Sequence, residues 1–440
     1  MLSRSLAILA CAVPLAAQAP KVPVRPLPAP SATSTETVRS LAAVRQLPNG
    51  NVLVNDQAGR RVLLMDSTLK LIGVVADSTS STASAYGPRP GGLIPFRGDS
   101  TLFVDPASLS MLVIDPAGKI ARVMAAPRPN DVGFLTGGAA GTPGFDAKGR
   151  LIYRAFPRMN FGPGGPAAGP PVLPDSEALV RFDLATRKLD TAAFFKAYRP
   201  RMNVERDSTG GVRASSITNP LPVVDEWVVL SDGTIAIVRG RDYRVDFVNA
   251  EGVVTKGEKV PYEWQRLSDE DKAAFIDSTK AAAMRARAAG GAPAGGNAGF
   301  GMGAPGGPGG GQMMVIRMDG PGPGGPPGAG GGAQQQIVTG GPPPGGAPLP
   351  VYVSPSELPD YKPVFGPNSV RPDADGRLWV RTIPTKPTPG AVYEVIDRSG
   401  KLVDRVLVPN GSVIVGFGSG GVVYMGMRDA AGIHVQRARL

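Results

Sequence analysis

The sequence predicts an all-β chain, a six-bladed β-propeller of four-stranded antiparallel blades over residues 35–440. Three observations predict it. A unit of tight turn, alternating strand, loop, second alternating strand, turn and third strand recurs six times along the chain. The sixth copy stops one strand short. A spare strand, Glu36 to Leu41, precedes the first copy and would complete the last blade, closing the ring and removing an open sheet edge. A pair of stacked sandwiches leaves that strand arithmetic unexplained.

The first copy runs from Asn49-Gly50 through Val52-Leu53-Val54, Arg61 to Asp66 and Leu71 to Val75. The second has Gly98-Asp99, Leu102-Phe103-Val104, Met111 to Asp115 and Ile120; the third has Asp146 to Gly149, Leu151-Ile152-Tyr153, Leu179 to Asp183 and Leu189. The fourth is the clearest, with Asp232-Gly233, Ile235 to Val238, Tyr243 to Asn249 and Val253-Val254. The fifth matches it with Asp375-Gly376, Leu378-Trp379-Val380, Tyr393 to Asp397 and Leu402, and the sixth has Gly420-Gly421, Val422 to Met425 and Ile433 to Leu440. Each turn dipeptide supplies the positive φ that a tight hairpin needs.

Two strings make the repeat specific. Leu230-Ser231-Asp232-Gly233 with Tyr243-Arg244-Val245-Asp246, and Asp373 to Val380, resemble exported bacterial six-bladed propellers of the TolB-like and NHL-like superfamily. The resemblance covers residues from about 36 to 440 outside the inserts, and it implies the fold. It is a weak guide to function, because that superfamily hosts scaffolds, receptors and hydrolases.

Flanking and inserted segments differ in character. Residues 1–19 read as a secretory signal, with Arg4, an apolar run from Leu6 to Leu15, and Ala17-Gln18-Ala19 as the cleavage site. A lipobox ending at Cys11 is the rival reading, and the apolar run before it is short. A periplasmic or secreted location follows, with no transmembrane span. Residues 20–34 form a Pro- and Ser-rich leader, expected to be extended and mobile. Residues 290–350 contain 24 Gly and 12 Pro and are expected to be disordered, with Met313 to Met318 and Ile337-Val338 as apolar islands able to dock. Gly162 to Pro171 is a smaller stretch of the same kind. One helix is predicted from Ser268-Asp269-Glu270-Asp271, with Leu267, Phe275, Ile276 and Met284 as its apolar face. It reads equally as part of a lid or as a stabilising surface helix.

Absences bound the chemistry. Cys11 is the only cysteine and lies in the signal, and His434 is the only histidine. A multi-histidine zinc site is excluded, and a Ser-His-Asp triad would have to use this one C-terminal residue. No nucleotide loop or nucleophile elbow is present. The net charge of +11 in an exported chain favours an anionic small molecule or envelope component over nucleic acid. A monomer is the expected state.

One face of the disc collects the long segments. Ala76 to Leu93, Ala125 to Pro143, Arg154 to Glu177, Lys196 to Asp225 and Glu258 to Phe365 all join second to third strands or one blade to the next. Insertions gathered on one side of a repeat array usually build the binding surface. At the outgoing end of the second strands stand Asn55, Asp56 and Asp105, then Arg154, Arg239, Arg381 and Arg428. The crossovers add Arg89, Arg128 and Arg199, each before a proline. Guanidinium groups in this number suit a carboxylate or phosphate, or else they bridge blades and cap strands. The primary expectation is therefore a non-enzymatic ligand- or partner-binding propeller.

The resemblance also brings lactonase-type propellers to mind, which hold Ca²⁺ in the channel through oxygen ligands. The candidates here are Glu226, Asp225 and Asn368, and the set is incomplete because Gly, Leu and Thr142 occupy the matching places in blades one to three. Tyr243 with Asp242 would be a proton donor and base, or simply a hairpin turn. A third reading is a scaffold that displays the Gly/Pro-rich insert.

Overall fold

The computed structural model describes residues 22–79, 85–138, 141–156, 174–199, 201–206, 212–288, 314–316, 337–339 and 351–440. Six antiparallel sheets form the blades, each running from an inner to an outer strand. The inner strands are Leu41–Gln46, Gly92–Pro95, Gly144–Phe145, Glu226–Val229, Val370–Pro372 and Ser412–Gly418. The chain is a six-bladed β-propeller, as the resemblance to TolB-like and NHL-like chains implies.

Local chemistry explains the turns that recur from blade to blade. The third strand of a blade ends on Asp or Asn, whose side chain accepts from the backbone amides two and three or four residues on. Asp66 accepts from Thr68 and Lys70 at 2.8 and 3.0 Å, and Asp115 from Ala117 and Lys119 at 2.9 and 2.8 Å. Asp183, Asn249 and Asp397 repeat the arrangement. An Asx side chain here replaces backbone pairing that the chain reversal breaks. The opposite hairpins place Gly50, Gly149, Gly233 and Gly376 at φ of +74 to +85, where a Cβ is strained.

Six apolar clusters fill the joints between neighbouring blades, so each blade is buried on both faces. Val44, Val54, Leu63, Val415, Tyr424 and Val435 join blades one and six. Val228, Val238, Tyr243, Val370 and Val380 join blades four and five. Near the axis the inner strands approach closely. A Cβ on Gly416 would lie 2.0 Å from the Val44 carbonyl oxygen, and one on Gly144 would lie 2.8 Å from Val229.

Closure follows the predicted plan with a shifted boundary. The strand that completes blade six is Ala32–Val38, paired antiparallel to Ile433–Arg439 from Ala32↔Arg437 to Val38↔Ile433. The sequence points to Glu36 to Leu41; Leu41 instead begins the inner strand of blade one, where it and Val44 pack into the joint with blade six. At a bulge in the closing strand, the Ser34 hydroxyl accepts from Val435 N at 2.9 Å and donates to the Glu36 carbonyl at 2.8 Å. His434 Nδ1 lies 2.8 Å from the Ser34 carbonyl.

The leader differs from expectation. Val24–Pro26 pairs in parallel with the outer strand of blade five, Leu402–Pro409, and Arg25 pairs with Asp404. Leu27 is buried between blades five and six. The leader is extended but pinned, and the folded part begins before residue 35. Its edge hydrogen bonds satisfy a strand that would otherwise face water.

Between blades three and five lies a separate sheet. Arg201–Arg206 pairs with Val212–Thr218, followed by Met314–Ile316 and Ile337–Thr339, and Val351–Tyr352 joins Val212–Thr218 in parallel. Within the two apolar islands of the long insert, the described residues Met314–Ile316 and Ile337–Thr339 are thus strands. The rest of 290–350, the 162–171 stretch and the signal lie outside the described residues. The helix is Asp269–Ala288, capped reciprocally by Ser268 and Asp271. Ile276 and Phe275 pack with Leu267, Leu221, Leu358 and Ile383, whereas Met284 is exposed and not part of the apolar face. No helix among the described residues is long and apolar enough to cross a membrane.

The closing strand carries a direct test. Removing residues 22–38 should leave blade six with three strands and an open edge, broaden the thermal unfolding transition and lower its midpoint by 10 °C or more on the order expected for losing a whole strand. Differential scanning calorimetry with size-exclusion chromatography reads both effects. Ser34→Ala should cost about 1–2 kcal/mol, because Val435 N then lacks its partner.

Candidate ligand-binding mouth

The inner strands of blades four and five place the most unusual acid of the described chain. Alternation along Glu226–Val229 sends Trp227 and Val229 into the joint with blade three, and Glu226 and Val228 toward blade five. Glu226 is half-buried at the entrance to that strand. Loss of water around its carboxyl pushes its pKa from 4.5 up to about 7. The amides of Asn368 and Ser369 and the charges of Arg371 and Arg154 pull the other way and only partly offset it. Asn368 is exposed, with φ of +61, and this left-handed turn aims successive amides at the acid.

Blade three supplies the adjoining wall. Arg154 ends the second strand and Glu177 begins the third; with Arg154 opposite Leu179, Glu177 is its same-face diagonal neighbour. The Glu177 side chain is 0% exposed and takes both Arg154, through Nη2 at 2.7 Å, and Arg199, through Nη2 at 2.6 Å. Two guanidinium groups share one carboxylate, leaving a net positive charge. Burial lowers the Arg154 pKa, with Glu177 opposing. The Arg154 guanidinium also lies 5.0 Å from the centre of the Phe134 ring.

The predicted arginines differ in what they meet. Arg239 is tied to Asp246 at 2.7 Å and Asp225 at 2.8 Å; burial opposes its charge, and the hydrogen bonds to Asp246 and Asp225 overcome this and raise its pKa. Arg128 approaches Asp131 at 3.4 Å. Arg381 is half-buried, and desolvation lowers its pKa, with Tyr393 opposing and Arg371 adding to the shift. Arg89 and Arg428 are exposed. Of the predicted arginines, Arg154 and Arg199 meet Glu177, and the charge of Arg154 also acts on Glu226.

Blades one and two carry structural polar groups at the same places. Asn55 donates to the Gly91 carbonyl at 2.9 Å and accepts from the Tyr86 hydroxyl at 3.0 Å. Asp56 takes Ser40 N, Gly59 N and Arg61 Nε, all near 3.0 Å, and Asp105 takes Ala107 N at 3.1 Å. Tyr243 is buried and gives its hydroxyl to Glu394 at 2.5 Å, and Glu394 in turn meets Arg405 at 2.8 Å. Burial raises the Tyr243 pKa well above its ordinary value, with Glu394 adding to it, so this tyrosine bridges blades four and five. Asp242 is held by Arg244 at 2.5 Å.

Glu177, Phe134 and Arg371 were missed in the sequence. A carboxylate at the first position of a strand whose hairpin partner ends in Arg was the available signal for Glu177. Phe134 lies in a 3-10 turn, Pro129–Leu135, which has no periodicity to read.

No family model matches this chain, and no curated protein matches it. Among solved structures, virginiamycin B lyase from Staphylococcus aureus is similar at 8% identity and a TM-score of 0.36, over 93% of this chain and 98% of that one. A gluconolactonase from Xanthomonas campestris is similar at 11% identity and a TM-score of 0.36, over 95% and 99%. A luciferin-regenerating enzyme gives 9% and 0.36, over 94% and 96%.

Two substitutions test the mouth. Glu177→Gln leaves two partly buried cations without their counter-charge and should cost about 3 kcal/mol in urea unfolding. For Glu226 the folded pKa lies above the unfolded one, so its favourable contribution is complete below pH 4.5 and is lost as pH rises through about 7. Glu226→Gln removes that loss. Its melting temperature relative to the parent should rise by roughly 2–4 °C between pH 5 and pH 8.

Proposed function

We propose that this chain is an exported binding propeller whose ligand carries an anionic group and seats it at the mouth of blades three to five. The observation that carries the reading is the sharing of Glu177 by Arg154 and Arg199 beside an acid, Glu226, whose pKa burial raises to about 7. A protonated Glu226 donates a hydrogen bond to an incoming oxyanion, and the surplus guanidinium charge supplies attraction. The long segments on this face fit a binding role, and the secretory signal read in the sequence fits export.

A Ca²⁺-dependent hydrolase is the other reading, and the donor set suits it poorly. Ca²⁺ needs six to eight oxygens. Asp225 is already engaged by Arg239 at 2.8 Å, Gly240 N at 3.1 Å and Lys196 N at 3.0 Å. Arg154 and Arg371 act on Glu226 with the charge a cation would oppose. Among the described residues no group of three or more His, Cys, Asp and Glu is arranged to hold a metal ion.

Isothermal titration with acetate and with inorganic phosphate at low salt tests the anion site. The charged groups facing Glu226 are Arg154 of blade three and Arg371 of blade five. Binding of an anion to the protonated form should weaken about tenfold from pH 6 to pH 8 as Glu226 ionises. Arg371→Gln should weaken it at both. Absence of binding to either anion at millimolar concentration, or affinity that is flat in pH, counts against the proposal.

A further inference from the structure

The same mouth has a second chemical feature, aromatic and partly open to solvent. Phe134, in the 3-10 turn, and Phe156, just after the second strand of blade three, have ring centres 6.1 Å apart at 60°. Phe156 is 39% exposed and Phe134 half-buried. Most other exposed large apolar residues of the blades, such as Ile72, Val74, Val123, Phe194 and Val254, sit on outer strands at the disc perimeter. The phenylalanine pair instead adjoins the Arg154 guanidinium, which stacks on Phe134.

The pair is held rigidly. Asp131 is fully buried in the turn that carries Phe134. Its carboxylate accepts Phe156 N at 3.0 Å and the Tyr153 hydroxyl at 3.1 Å, and it meets Arg128 at 3.4 Å. One carboxylate therefore fixes the backbone under both rings. A rigid apolar surface beside a surplus positive charge lowers the ordering cost of a ligand that has both characters.

We infer that the ligand is an arene carboxylate, its acid group on the Arg154–Glu226 side and its ring on Phe134 and Phe156. The inference rests on the anion-binding reading above and adds the body that bears the charge. An offset or tilted ring contact contributes beyond area burial.

The test is a titration of the mature chain at pH 6 with acetate, benzoate and cyclohexanecarboxylate, read by calorimetry and by saturation-transfer NMR. Benzoate should bind roughly five- to tenfold more tightly than acetate, with cyclohexanecarboxylate between them. The benzoate-to-acetate ratio should fall toward one in Phe156→Ala, and also in Phe156→Leu, which retains apolar volume if the alanine variant is poorly folded. Equal binding of acetate and benzoate by the parent overturns this inference and leaves the anion site standing. A ratio unchanged in both Phe156 variants overturns it too. Failure of all three acids to bind removes the anion site, and the arene with it.

Discussion

The pairing of Ala32–Val38 with Ile433–Arg439 is the constraint on which the rest depends. Propeller blades bury both faces against neighbours, so the joint between blades six and one exists only when the ring is shut. That joint contains Val38, Val44, Val415, Tyr424 and Val435, drawn from both ends of the chain. The contact is non-local by nearly the whole sequence, and its entropic cost is met only once the intervening blades are in place. Ser34 and His434 fasten the strand at its bulge, where the regular ladder shifts register. The packing of blade four between blades three and five brings Glu226 within reach of the Asn368 amide and the Arg154 charge.

Charge among the described residues is organised largely by local neutralisation. Arg239 has two carboxylates, Asp225 and Asp246, and Arg61 has Asp56 and Glu36. Glu177 reverses the proportion, with two arginines on one acid. Buried or half-buried charges are costly unless paired, so a surplus retained at a solvent-contacting site is more informative than the total of +11 for the chain.

Much of the fold was legible because its determinants are short-range. Asp115 and Asn249 end their strands in the sequence as in the structure, since an Asx side chain and its own next four residues complete the turn. Glycines at Asn49-Gly50 and Asp232-Gly233 mark hairpins for the same reason. The closing strand was found but misplaced, because Leu41 suits an inner strand and an outer one equally by composition. Val24–Pro26 looked like a mobile leader: three residues beside prolines have no signature until Asp404, far along the chain, supplies the partner. The arginine pattern was legible and its partners were not. Spacing shows that Arg154 and Arg239 end equivalent strands, but which acid each meets is decided across blades. Glu226 was singled out by its place at a strand mouth; its raised pKa depends on protein packed around it from blade five.

Ser31 and Leu440 adjoin neighbouring strands of blade six: Ser31 N donates to the Arg437 carbonyl, and Leu440 N donates to the Gly421 carbonyl. A loop of ordinary length would therefore join them without disturbing a blade. Topologically the molecule is a wheel with no privileged first spoke. Any hairpin on the side opposite the long segments offers an equivalent place to open the wheel.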